Sequence, residues 1–252
     1  MPALTSTAPL APFPGAVGVS HLRVYDSEAP DGLRGGTPHV HSVCSEAYIV
    51  LSGRGTVQTL GPEGFSETPL QSGSFVWFTP GTVHRLINSD GALEILVIMQ
   101  NAGLPEAGDM VITFPPQLLD DPEAYARAHA LPPEDQTTRG SGDAARQRRD
   151  LGVDGFSQLC AELDHEGRPA LERFYARVGR LLAPRAGGWQ SIFRAGPRAA
   201  VERTAQQLDA LGRGDASHLL EATLQRLPPP PEERRLGCCG TLGVYAAAGD
   251  AR

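Results

Sequence analysis

Four residues of this 252-residue chain have the types and spacing to do chemistry: His39, His41, Glu46 and, much later, His84. They fall in two short segments, HVHSVCSEAYIVLSG (residues 39–53) and PGTVHRLIN (residues 80–88). Three imidazoles and one carboxylate make a complete set of protein ligands for a divalent transition metal. Residues two apart on a strand share a face, so His39 and His41 can aim neighbouring imidazoles at one ion. Glu46 follows His41 by an odd number of residues, which on a straight strand would turn it to the opposite face. A bend over Val43–Ser45 is therefore required, and Glu46 returns on the next strand of a hairpin.

The elements needed to hold these side chains are legible around them. Glu46-Ala47-Tyr48-Ile49-Val50-Leu51 is strand-forming, and Ser52-Gly53-Arg54-Gly55 forces a turn after it. Pro80-Gly81 marks a second tight turn, with Phe75–Phe78 entering and Val83–Asn88 leaving. His84, Leu86 and Asn88 share one face of the exit strand. Ligands on strands beside turns suit a metal held within a small barrel.

These segments resemble the paired motifs of the cupin superfamily, small β-barrels built as a jelly roll. His39, His41 and Glu46 match the three ligands of the first motif and His84 the ligand of the second, while Gly53, Gly73, Gly81 and Asn88 fall on structural positions. Two turn positions depart from the pattern: Leu33 stands where a glycine is expected, and Thr79 where a proline is, with Pro80 one place later. The resemblance covers roughly residues 35–100. It implies one bound divalent transition metal (Fe, Mn, Ni, Zn, Co or Cu). It also implies reactions ranging from ring-cleaving dioxygenation to sugar isomerisation, in which the matching glutamate, here Glu46, can also take a substrate proton. Tyr48 shares the inward face with Glu46 by strand parity and is expected in the substrate pocket.

Composition narrows the classes. The net charge of −7 and a pI near 5.5 argue against nucleic acid and anionic membranes as partners. All 22 basic residues are arginine, which excludes Schiff-base lysine chemistry and a phosphate-loop lysine. Cys44, Cys160, Cys238 and Cys239 show no C-x-x-C spacing, so no zinc knuckle is expected, and the adjacent pair reads as two buried small residues. MPALTSTAPLAPFPG lacks the basic start and apolar run of a signal peptide, so a cytoplasmic location is expected.

The expected fold is mainly β, a cupin jelly-roll barrel followed by an α-helical C-terminal module. Residues 1–115 would form the barrel, its first 20 residues an irregular arm, and 116–252 the helical module. Short strands are expected over 21–26, 37–43, 46–52, 54–60, 65–70, 74–78, 83–88 and 93–99, with a further one over 111–115. Helices are expected over 121–130, 155–165, 169–183, 197–212 and 216–227, and a polar linker over 132–143. The last four helices each carry an apolar stripe that should be buried, whereas Arg146, Arg148 and Arg149 read as a solvated face. The tail after Pro231 is expected to be irregular or a short strand. A homodimer is expected.

Three functions remain open on the sequence. The first is a metal-dependent enzyme acting on a small organic molecule, dioxygenase-like or isomerase-like. The second is a ligand-sensing cupin with an AraC-like regulator as its extreme, although residues 116–252 hold 18 Arg against 19 acidic residues and a DNA-binding module should be basic. The third is a metal-binding cupin without turnover.

Overall fold

A computed structural model describes residues 13–245 of the chain. The barrel is two antiparallel sheets facing one another. One runs, in spatial order, β10 (Arg235–Leu236), β11 (Gly240–Tyr245), β1 (Gly18–Val24), β8 (Glu94–Met99), β3 (Glu46–Ser52) and β6 (Phe75–Phe78). The other runs β5 (Gly64–Gln71), β4 (Arg54–Gly61), β7 (Val83–Asn88), β2 (His39–Val40) and β9 (Val111–Ile112). The apolar run of β8 is central, between β1 and β3, as its lack of a polar face requires. The strand expected over 37–43 shrinks to β2, because the chain turns away at Ser42 to begin the bend that returns Glu46.

Two apolar cores follow from strand alternation. Inward residues of both sheets, including Leu22, Tyr48, Val57, Leu86 and Ile95, fill the space between them. Outward residues of the second sheet, including Val40, Leu60, Val83 and Val111, form the other core with the helices. Those helices are α1 (Pro116–Leu119), α2 (Pro122–His129), α3 (Asp143–Glu166), α4 (Arg168–Phe193) and α5 (Ala199–Gly212). Helix α2 starts as its sequence dictates: the Asp121 carboxylate accepts from the Glu123 and Ala124 amides, and Pro122 sits in the first turn. Helix α3 lies against β2 and β9 because two glycines on one of its faces permit contact. A Cβ on Gly155 would stand 2.0 Å from the Thr113 carbonyl oxygen, and one on Gly152 2.8 Å from Thr37.

Several expectations change in three dimensions. Helices α3 and α4 are longer than read, and Arg148 and Arg149 are buried rather than solvated. Arg149 donates to the Ser27 carbonyl and hydroxyl and to the Glu28 carbonyl, and Arg148 to the carbonyls of His129 and Gly237. Buried guanidinium groups on backbone oxygens join α3 to the loop after β1, to α2 and to the tail, a role that charge clustering alone does not reveal. The stripes of α3 and α4 are buried through Phe156, Leu171, Phe174 and Leu182. Helix α5 buries no residue, and the helix expected over 216–227 is only a 3₁₀ turn at Ser217–Glu221, with Leu220 91% and Leu224 95% exposed. The Asp215 carboxylate does accept from Ser217, but the turn it starts has no partner surface to extend it.

The segment 132–143 is held rather than loose. Asp135 is buried and accepts from Ser141, Gly142 and Ala144, while the Thr138 amide donates to Arg234 and the Leu236 amide to Gln136. The tail joins the barrel, since β11 pairs with β1 over Val19–Val24. The arm expected over residues 1–20 lies mostly outside the described residues. Among the described residues no helix is long and apolar enough to cross a membrane.

Candidate metal centre

His39 and His84 are register partners across the β2–β7 ladder, which sets their side chains side by side inside the barrel. His41 leaves the end of β2, and Glu46 opens β3 after the bend. That bend is built by a residue the sequence reading did not single out. The fully buried carboxylate of Asp109 accepts from the Ser42 amide at 2.8 Å, the Val43 amide at 3.1 Å and the Ser42 hydroxyl. Asn101 and Gly81 complete it: the Asn101 amide donates to the Val43 carbonyl, and the Gly81 amide to the His41 carbonyl. Gly81 has φ 92°, a conformation that favours glycine in this turn. Asp109 stands far from the motif in sequence, so no local spacing announces it.

The four side chains converge. Each offers one ligand atom, and these atoms all lie within 4.8 Å of one another, every residue buried. The ring centroids of His39 and His84 are 4.2 Å apart and those of His39 and His41 5.1 Å.

Hydrogen bonding assigns the tautomers. The Nδ1 atoms of His39, His41 and His84 face the backbone carbonyls of Thr37, Asp109 and Thr82. A carbonyl only accepts, so each Nδ1 carries a proton, and in the neutral ring each Nε2 presents a lone pair. His84 Nε2 and Glu46 Oε2 lie 3.1 Å apart, both buried without a hydrogen-bond partner. Two facing electron pairs in a dry site are unfavourable, and a cation between them relieves the repulsion. The donor set therefore fits a divalent metal.

Electrostatics agree. Burial, followed by the His84 and His41 imidazoles, pushes His39 well below the ordinary imidazole range. Burial also lowers His41, against the opposing pull of Glu46. Burial would raise the Glu46 carboxyl, but positive charge on the His84 and His41 side outweighs it and holds the acid below its ordinary value; with both rings neutral, a bound cation takes that part. Neutral imidazoles and an ionised carboxylate are the forms a metal requires.

Tyr48 sits beside this cluster but at 0% exposure, its ring 5.4 Å from Phe78 and its hydroxyl without a hydrogen-bond partner. Burial and the Glu46 carboxylate push it well above the usual phenol range. It lies in the barrel core and has no surface on the groove beside the cluster. That groove, of about 860 Å³, runs between α4 and the barrel rim, with His41 in its lining. The sequence reading gave α4 only a packing role.

A family model described as "Cupin domain" matches residues 27–99, and this part of the chain is a cupin domain. Solved structures to which the chain is similar include the following three. The Streptomyces protein PAC13, described as a unique nucleoside dehydratase, is 16% identical over 33% of this chain and 58% of its own, with a TM-score of 0.26. An uncharacterized conserved protein with a double-stranded β-helix domain from Klebsiella pneumoniae is 26% identical over 33% of this chain and 63% of its own, TM-score 0.24. A TDP-fucose-3,4-ketoisomerase from Campylobacter jejuni is 12% identical over 32% of this chain and 58% of its own, TM-score 0.28. The chain thus spans less than two thirds of the length of each. A search of curated proteins finds no match.

Proposed function

We propose that this cupin-domain protein is a metal-dependent enzyme acting on a small organic molecule. His39, His41, Glu46 and His84 would hold one divalent transition ion, Fe, Mn, Ni, Zn, Co or Cu. The observation carrying this reading is the shared geometry: all three imidazoles commit Nδ1 to a carbonyl, and Nε2 of His41 and of His84 stand 3.5 Å and 3.1 Å from the Glu46 carboxylate. When bound, the metal supplies Lewis-acid or redox chemistry at this centre.

The chain's own residues supply the rest. Thr37, Asp109 and Thr82 fix the ring orientations through their carbonyls. Glu46, held ionised, is the base that takes a substrate proton. The cluster is buried apart from the His41 edge on the groove, and this low-polarity setting strengthens the charge interactions within it. We read the reaction class as dioxygenase-like or isomerase-like.

The same reading makes the protein cytoplasmic, without nucleic-acid or membrane partners. All four cysteines are free, as a reducing compartment keeps them, and the helical segment is not basic. It also makes the protein a homodimer: Phe75 and Trp77, the latter 69% exposed, stand on β6, an unpaired sheet edge. The test is elemental analysis of protein purified without chelator, followed by oxygen uptake with catechols, diketones and flavonols. Near-stoichiometric metal and turnover lost in Glu46→Gln support the enzyme reading. Metal without turnover of any candidate would leave a binding protein.

A further inference from the structure

The groove beside His41 has a chemical character of its own. Its floor is apolar, formed by Val40, Leu104, Val178, Leu182 and Trp189. Among the described residues no Arg, Asp or Glu lines it, although 51 of the chain's residues are of charged type. Its aromatic polar atoms are already committed. Tyr175 donates to the Gly81 carbonyl at 2.7 Å, and Trp189 Nε1 to the Ala107 carbonyl at 3.1 Å. Ser42 and Asn101 are likewise committed, to Asp109 and to the Val43 carbonyl. The Gln190 amide and the Thr79 and Thr82 hydroxyls, also in the lining, make no side-chain hydrogen bond among the described residues.

Away from the metal centre, a phosphate or carboxylate in such a groove would give up hydration and meet no cationic side chain in exchange. An apolar molecule gains from the floor, and one carbonyl or hydroxyl can reach Gln190. The volume of about 860 Å³ accommodates several fused or linked rings. We infer that the groove between α4 and the barrel rim binds an uncharged, mainly apolar organic molecule as the substrate of the centre that includes His41. This assignment rests on the enzyme reading above and gives α4 the part of specificity wall.

Gly179 and Ala183, one turn apart on α4, line the groove, and a Cβ on Gly179 meets nothing within 4 Å. Leucine at either position fills the groove, and at Gly179 it also favours the helix. The full chain is titrated with Nile red, an uncharged apolar dye, and the bound dye is challenged with flavone and with glucose 6-phosphate. Saturable binding is expected, reversed by flavone and not by glucose 6-phosphate. Gly179→Leu and, separately, Ala183→Leu should each weaken dye binding by about tenfold or more, with melting temperature and metal content kept. His84→Ala should lose metal and keep dye binding, so failure of the metal reading and failure of the groove assignment register in different measurements. Dye binding unchanged in both leucine variants, or displacement by glucose 6-phosphate, overturns the inference.

Discussion

The backbone carbonyl of Asp109 receives the Nδ1 hydrogen of His41, while its carboxylate receives the amides of Ser42 and Val43. One residue thus orients a ligand and shapes the bend that brings the next ligand, Glu46, back to it. Asp109→Ala keeps the carbonyl but removes the carboxylate that holds the bend. Metal affinity should fall about 10–100-fold, as when an outer partner of a metal ligand is lost. Competition with a chromophoric chelator measures this, and an unchanged affinity would show that the bend stands without Asp109.

Removing a ligand should do more. His41→Ala and His84→Ala are each expected to reduce bound metal from near one equivalent to less than about a tenth, given the strength of multidentate sites. Elemental analysis reads the outcome directly. Full retention in either variant would remove that residue from the ligand set.

The helices divide into packed and unpacked parts, which stability measurements can separate. Phe174, 2% exposed in the core shared by α4 and the barrel, should cost about 3–5 kcal/mol when cut to alanine. Leu224→Ala, on a fully solvated residue, should stay within about 0.5 kcal/mol. Urea midpoints give both values. Equal effects would mean that residues around Leu224 are covered in solution.

Proteolysis probes the segment at 132–143. Trypsin can reach the exposed Arg139, but the clamp on Asp135 should make cleavage there slow. After cleavage the pieces should still elute together, because β11 stays paired with β1 and α3 stays packed on β9. Asp135→Ala should accelerate the cut. Separation of a free barrel on a sizing column would contradict this packing.

His129 sets a pH dependence. Burial, then Arg148 and Arg185, pushes its imidazole down to about 4 from 6.5. Between those values the unfolded chain takes up a proton that the folded chain refuses, so stability falls as pH drops from about 6.5 toward 4. His129→Gln should lose less stability than the native chain between pH 7.5 and 5, as read from urea midpoints. Parallel losses would mean that His129 titrates normally.

Much of this was legible in the residues themselves. Alternation and turn chemistry placed the strands from Glu46 to Met99 nearly residue by residue, because period and turn are local properties. The same locality located the helix behind Asp121. Motif spacing singled out His39, His41, Glu46 and His84, and the structure brings those four together.

What the sequence could not carry depends on partners distant along the chain. Arg149 looks solvated until Ser27 and Glu28 are seen to meet its guanidinium, and Asp109 looks ordinary until the bend at Ser42 folds onto it. The stripe of α5 reads like that of α4, yet only α4 finds a surface to cover it. By itself the sequence determined which residue types stand at which local period, hence the strands, the turns and the four side chains of the centre. Tertiary structure alone decided which faces are dry, which charges are paired and that α4 walls a groove beside His41, because burial and pairing are properties of two surfaces meeting.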